Sequence, residues 1–305
     1  MHWIFIALAA PLLWAITNHL DKYLLVKYGE KDGSIGSLML FSTLFSIIVI
    51  PVLFLIQPDI LSVSVQDRII LASSGILYAL FTYFYLHALF RDEASVVMPI
   101  FQVIPVFGFI FSYVLLGETL TLMQVVGSVV VIIFSFILAL DIEEGSLSKI
   151  KWPILILTFI ASGFYALSET IFKYSTTVEA DFILSLFWNH VGLLVVGFFI
   201  LFSKTSRRGF FALIKSNAGP ILGFNISGET ITLLGDVATR FALLLAPVTL
   251  VLVVAGTQPF FVLILGLLLT ILFPKIFNEK LSKRHLVHKI ISILGIIGGS
   301  IIIMM

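Results

Sequence analysis

The sequence predicts an all-α integral membrane protein with ten transmembrane helices, arranged as two inverted five-helix repeats. Three observations carry that expectation. Only 11% of the 305 residues are charged and 60% are hydrophobic, with a mean hydropathy of +1.15. Soluble domains carry about 25% charged residues, so this chain lacks the polar groups to cover a water-facing surface and implies a lipid-facing one. Apolar runs of about 20 residues, the length needed to cross the hydrocarbon core, recur along the chain. Finally, two stretches of the first half are echoed in the second.

The expected spans are 2–20, 36–56, 68–90, 95–116, 121–140, 152–174, 182–203, 218–244, 248–272 and 287–304. The first lacks a basic leading segment and runs straight into His19 and Asp21, so it reads as a retained span rather than a cleaved signal. The connections "RDEA" (91–94), "GETL" (117–120) and "AP" (246–247) are short enough to imply tight antiparallel hairpins. The longest linkers are "DKYLLVKYGEKDGSIG", "DIEEGSLSKIK" and "FPKIFNEKLSKRHLVHK", and none has room for a soluble domain. The central one separates a first repeat, 1–145, from a second, 146–305.

The echoes support that division. "WAITNHLDKYL" (14–24) returns as "YALSETIFKYS" (165–175), and "QVIPVFGFIFSYVLLGETLT" (102–121) is answered by "TQPFFVLILGLLLTILFPKIFNEKLS" (257–282). An odd number of helices per repeat turns the second half upside down in the bilayer. Inverted repeats of this kind mark secondary transporters, with the substrate site at their interface near the midplane. Other classes recede. A net charge of +1 gives no reason to expect nucleic acid, and the absence of cysteine excludes disulfides, thiolate metal sites and cysteine nucleophiles. There is no His-Glu-x-x-His, Gly-x-Ser-x-Gly or Asp-rich metal motif, so no enzyme, catalytic residue, metal or cofactor is expected.

The segment "ASVVMPIFQVIPVFGFIFSYVLLGETLTLMQVVGSVVVIIFSFIL" has a Pro in the fourth span, Leu-Gly-Glu closing it, and Gly127 in the fifth. It resembles the hallmark of the EamA-like, ten-helix branch of the drug/metabolite transporter superfamily, and the recurring repeat extends that resemblance over the chain. The resemblance implies a central cavity lined by spans 1, 3, 4, 6, 8 and 9 and an alternating-access cycle. It leaves the substrate open, since the family spans amino acids, nucleotide sugars, sugar phosphates, drugs and choline-like cations.

Ionisable residues inside spans are costly in hydrocarbon and normally face a cavity or a partner. In the eighth span Asn225, Glu229, Asp236 and Arg240 share one helix face. Asp236 and Arg240 read either as a structural i,i+4 pair or as cavity residues. Glu229 has no cation within four residues, which suits a proton carrier or a cation ligand, and Asp236 is a second proton-coupling candidate. In the sixth span Tyr165, Glu169 and Lys173 share a face; Lys173 reads as an ion-pair partner of Glu169 or a snorkelling end residue, and Tyr165 and Glu169 as cavity candidates. Trp14 and Asn18 continue the matching stripe in the first span. Tyr78 and Tyr85 are the third-span candidates, with His87 weaker. His190, beside Asn189 in the seventh span, is weaker still because that span is expected at the periphery. Gln102 and Gln258 precede Pro105 and Pro259, where a kink either opens polar backbone to the cavity or simply serves packing.

Of the 18 Lys and Arg residues, 15 fall on loops after odd-numbered spans; the opposite face holds Arg68, with Lys173 and Arg240 near helix ends. The positive-inside rule therefore puts both termini outside, in a cytoplasmic-type (inner or plasma) membrane, contrary to the family habit. The family's sugar-phosphate carriers use basic residues in the ninth span, and "LVLVVAGTQPFFVLILGLLL" has none. The expected cargo is a small polar metabolite, zwitterion or organic cation, moved facilitatively or with protons. A lipid or lipid-linked-sugar flippase of the same fold is the alternative, and a sugar-phosphate or nucleotide-sugar exchanger the second. The expected partners are that small molecule, protons in the coupled case, and membrane lipid. A monomer suffices for transport, with a dimer left open.

Overall fold

The computed structural model of the chain describes residues 2–28, 34–91, 98–139, 152–178, 181–216, 218–272 and 283–305. From the amino end the helices are α1 (His2–Tyr28), α2 (Ser34–Leu44), α3 (Ser46–Ile56), α4 (Val65–Arg91), α5 (Ile104–Leu116) and α6 (Leu122–Ala139). Then come α7 (Trp152–Val178), α8 (Phe182–Leu201), α9 (Lys204–Ser216), α10 (Ala218–Leu245), α11 (Val248–Ala255), α12 (Gln258–Leu272) and α13 (Lys283–Ile303). Short 3-10 turns occupy Pro58–Ser62 and Met98–Val103. A helix closes every backbone hydrogen bond within its own segment, which lipid demands because it offers no partners.

The surface is the reverse of a soluble protein's. Leu55, Val114 and Phe5 are 79%, 73% and 71% exposed, whereas Glu169, Asn189 and Arg240 are buried. Among the described residues, six stretches are long and apolar enough to cross a membrane: His2–Leu20, Ile35–Ile56 (α2 with α3), Val65–Ala88, Trp152–Thr176, Phe182–Leu201 and Val248–Gly266. Shorter apolar helices cover Phe101–Leu116, Leu122–Phe134 and Ile290–Ile303. The 28-residue α10 combines sufficient length with three charged residues, Glu229, Asp236 and Arg240.

Three expected spans are interrupted, and one helix is additional. The second breaks between α2 and α3 at Phe45. The fourth begins as the 3-10 turn Met98–Val103 before α5, and the ninth divides into α11 and α12 around Gly256 and Thr257. Pro105 and Pro259 therefore sit in the first turn of α5 and of α12, where a missing N–H costs no helical bond. The expected kinks are helix starts. At the other end of α5, Gly117 takes φ +66°, the left-handed cap that terminates the helix. The additional helix, α9, occupies the stretch expected as a connection between the seventh and eighth spans.

Packing is pairwise. α1 lies against α10 and against α11 and α12; α7 lies against α4 and α5; α6 pairs with α13, α5 with α11, and α8 with α2 and α3. α4 also packs closely on α8. Gly75 faces the Asn189 carbonyl and Gly192 the Ala72 carbonyl, so near that a methyl at either position would overlap the oxygen. Small residues at such crossings let backbones approach where no hydrophobic drive holds helices together in lipid. α2 and α10 stand farther apart and are bridged by Ser42 and Glu229, while α9 packs across α2 and also touches α10.

Candidate functional site

Two cavities meet behind α4. The first, about 160 Å³, is walled by Trp14 and Asn18 of α1, Tyr78, Phe81 and Tyr85 of α4, Tyr165 of α7 and the broken segments carrying Gln102, Gly256 and Gln258. Its rings interlock. Trp14 and Tyr165, the leading residues of the two echoed stretches, meet edge-on at 6.4 Å, and Phe81 lies 4.9 Å from Tyr165 and 5.8 Å from Tyr85. We call this the aromatic chamber. The two helix breaks face one another across its floor: the Gln102 side-chain amide donates to the Gly256 carbonyl at 3.2 Å. The Gln102 Oε1 atom is buried there with no hydrogen-bond partner among the described residues.

The second cavity, about 150 Å³, lies between α2, α4, α8 and α10. Its polar wall is Ser42, Thr43, Thr82, His190, Asn225, Glu229 and Asp236. This is the acidic chamber. Ser42 donates to Glu229 Oε1 at 2.5 Å, and Ser46 bonds His190 Nδ1 at 3.1 Å. Tyr78, Phe81, Tyr85 and Thr232 line both chambers, so an aromatic partition separates them. A hydrogen bond crosses it: Trp14 Nε1, from the aromatic side, donates to Asp236 Oδ1 at 3.1 Å. Neither chamber is lined by a Lys or Arg among the described residues. Nor do those residues gather three His, Asp or Glu side chains able to hold a metal ion.

Arg240 points elsewhere. Its Nη2 and Nε groups donate to Glu169 at 3.2 and 3.4 Å, and Nη1 donates to Asn189 Oδ1 at 3.0 Å. The guanidinium also lies 4.8 Å over Phe172 and 5.7 Å over Tyr78. Asn189 is oriented by its own bond to Ser74 Oγ at 2.7 Å, and Ser168 donates to the Ser74 carbonyl at 2.8 Å. This network joins α4, α7, α8 and α10. A charge in so apolar a setting is tolerable only when paired and hydrogen-bonded, and Arg240 is both.

Ten of the twelve sequence candidates therefore border the chambers: Trp14, Asn18, Gln102, Tyr165 and Gln258 the aromatic one, Asn225, Glu229 and Asp236 the acidic one, Tyr78 and Tyr85 both. Glu169 and Arg240 line neither. Arg240 pairs across the bundle with Glu169, rather than serving as the i,i+4 partner of Asp236, which Trp14 holds instead. Lys173 pairs not with Glu169 but with Glu118 at 2.5 Å, and donates to the Ala246 carbonyl at 2.7 Å. Glu118 Oε2 in turn accepts from Val248 N at 2.8 Å, placing its charge at the positive end of α11. The common-looking "GETL" is thus a structural clasp.

The expectation that the seventh span is peripheral is corrected, since α8 supplies both His190 to the acidic chamber and Asn189 to the Arg240 network. Its signal was Asn-His inside an apolar run, the kind of residue pair that rarely faces lipid. Ser42 and Thr43 were missed because serine and threonine are ordinary in membrane helices. His87 bonds the Tyr83 carbonyl of its own helix at 2.8 Å and borders neither chamber.

Residues 1–140 match the model of the EamA-like transporter family, a family of the drug/metabolite transporter superfamily. A search of curated proteins finds no match. Among solved structures, the crystal structure of one protein aligns with a TM-score of 0.61 at 15% sequence identity, covering 99% of this chain and 96% of the other. At that identity the likeness concerns the fold.

Proposed function

We propose that this chain, which opens with an EamA-like transporter segment, carries a small organic cation, zwitterion or other small polar metabolite across the membrane by alternating access. The observation that carries the cargo class is the charge of the cavity walls. The acidic chamber presents Glu229 and Asp236, no Lys or Arg lines either chamber among the described residues, and the adjoining chamber offers aromatic faces suited to a cation. Glu229 binds the cargo's positive group or a coupled proton, and Asp236, bonded through the partition to Trp14, is the second candidate for that proton.

The packing supports the inverted-repeat reading. If spans 1 to 5 correspond to spans 6 to 10, then α1 on α10 answers α7 on α4, and α1 on α11 and α12 answers α7 on α5. The close α4–α8 crossing is a pairing without an equal: it corresponds to α10 with α2 and α3, where the acidic chamber now lies. Alternating access then closes α2 onto α10 and loosens α4 from α8. Gly228 of α10 lines the chamber and has nothing within 4 Å of where a Cβ would stand. A helical glycine costs about 1 kcal/mol relative to alanine, and a closed state in which α2 approaches α10 would use the room that it leaves. The Lys and Arg distribution supports both termini lying outside in a cytoplasmic-type membrane. A single chain suffices as the transport unit.

A thermal-shift screen of the detergent-solubilised protein, at mildly acidic and at neutral pH, tests the cargo. Ligands selective for the folded state raise the melting temperature by mass action. Stabilisation by amines or amino acids, lost in Glu229→Gln, is the expected result. Transport by Glu229→Gln with unchanged pH dependence would remove its assigned role. Stabilisation confined to lipids or lipid-linked sugars would put a flippase in the transporter's place, and stabilisation by sugar phosphates an exchanger.

A further inference from the structure

Helix α9 lies outside both chambers, between the end of α8 and the start of α10. One side of it is committed. Phe210 is buried with Leu40 and Phe41, its ring 4.6 Å from that of Phe41, and Ser37 Oγ donates to the Ser206 carbonyl at 3.3 Å. On the opposite side the hydrogen bond described is that of Arg207, whose guanidinium donates to the Leu201 carbonyl at the end of α8 at 3.1 Å. On an α-helical wheel Arg207, Phe211, Lys204, Lys215 and Arg208 fall within an arc of about 100°, and all five are exposed.

The charge on this arc is one-signed. No Asp or Glu occurs anywhere from residue 182 to 228, so the four cations are not neutralised within their own stretch of chain. Two aromatic rings accompany them. Phe211 sits in the middle of the basic arc at 49% exposure, and Phe202, just after α8, is 79% exposed. A cationic arc alone would favour water; a cationic arc holding a half-exposed phenyl ring, at the end of a membrane-spanning helix, matches the boundary between headgroups and acyl chains. Guanidinium groups are also the side chains best shaped for two-point contact with a phosphate.

We propose that α9 is a docking surface for anionic phospholipid headgroups, with Lys204, Arg207, Arg208 and Lys215 meeting the phosphates and Phe211 entering the acyl boundary. The surface is coupled to the transport core. α9 grips α2 through Phe210 and Ser206, and α2 holds Glu229 of α10 through Ser42. A headgroup seated on α9 therefore bears on the separation of α2 and α10, which is the width of the acidic chamber.

The test reconstitutes the full chain in nanodiscs containing phosphatidylcholine and spin-labelled probes of either phosphatidylglycerol or phosphatidylcholine, and measures which probe associates preferentially. One basic residue near an anionic surface accounts for about a fivefold preference, so the wild type is expected to favour phosphatidylglycerol by at least about fivefold, with the preference falling as salt rises. K204Q/R207Q/R208Q/K215Q is expected to bring it close to unity. The paired variants K204Q/K215Q and R207Q/R208Q leave Phe210 and its contacts in place, and each is expected to remove part of it. No preference in the wild type, or a full preference retained by both paired variants, would overturn the proposal.

Discussion

Glu169→Gln is the substitution on which the account of the polar core depends most. Arg240 is 1% exposed and Glu169 2% exposed, and two of the three hydrogen bonds described for the guanidinium run to that carboxylate. The variant keeps the volume and an acceptor but deletes the countercharge. What remains is Asn189, the faces of Phe172 and Tyr78, and the charge of Asp236 one turn away on α10, which makes no direct ion pair with the guanidinium; a desolvated cation–π contact contributes only about 2 kcal/mol. Breaking a buried pair by removing one partner costs about 3–5 kcal/mol, so a loss of that size is expected in unfolding free energy, measured by titration from mixed micelles into denaturing detergent. Arg240→Met, which strands the carboxylate instead, is expected to cost a similar amount. The double variant removes both charges together and should be more stable than either single one, because no lone charge is left behind. A Glu169→Gln protein within about 0.5 kcal/mol of wild type, the range of ordinary surface changes, would refute the reasoning. So would a double variant as unstable as the sum of the two single losses.

Gly192→Val and Gly228→Val should separate packing from motion. The first drives a side chain into the Ala72 carbonyl and is expected to lower stability by about 1–3 kcal/mol, whereas the second enters open space and is expected to leave stability intact while slowing transport; equal stability of the two variants would count against the assigned crossings. For topology, a fluorescent protein and an alkaline phosphatase fused in turn at Met305 are expected to be dark and active respectively, and the converse pattern would place the carboxyl end in the cytoplasm.

The residues of the aromatic chamber are legible in the sequence itself. Trp14 and Tyr165 head two stretches that echo each other 151 residues apart, and Gln102 and Gln258 each precede a proline in the second pair of echoes. The structure brings all four of these residues to the wall of one cavity. Asn225, Glu229 and Asp236 could be read for a different reason. Helical periodicity is local, so residues spaced by four and seven share a face in any setting. Partnerships were another matter. Glu169 with Arg240, Lys173 with Glu118 and Ser42 with Glu229 join residues 71, 55 and 187 positions apart, and no local rule reaches that far.

Composition and periodicity by themselves thus determined that the chain is a helical membrane protein and which polar residues its apolar runs carry. Lipid enforces these features segment by segment, since each helix must satisfy its own backbone and hide its own charges. Tertiary structure alone decided which charges meet, that Arg240 and Glu169 neutralise each other outside the chambers while Glu229 and Asp236 border one, and that α9 turns a basic arc outward. These depend on the distance between helices, and inside a bilayer that distance is set by the close fit of small residues such as Gly75 and Gly192 rather than by hydrophobicity, which is the same on every side.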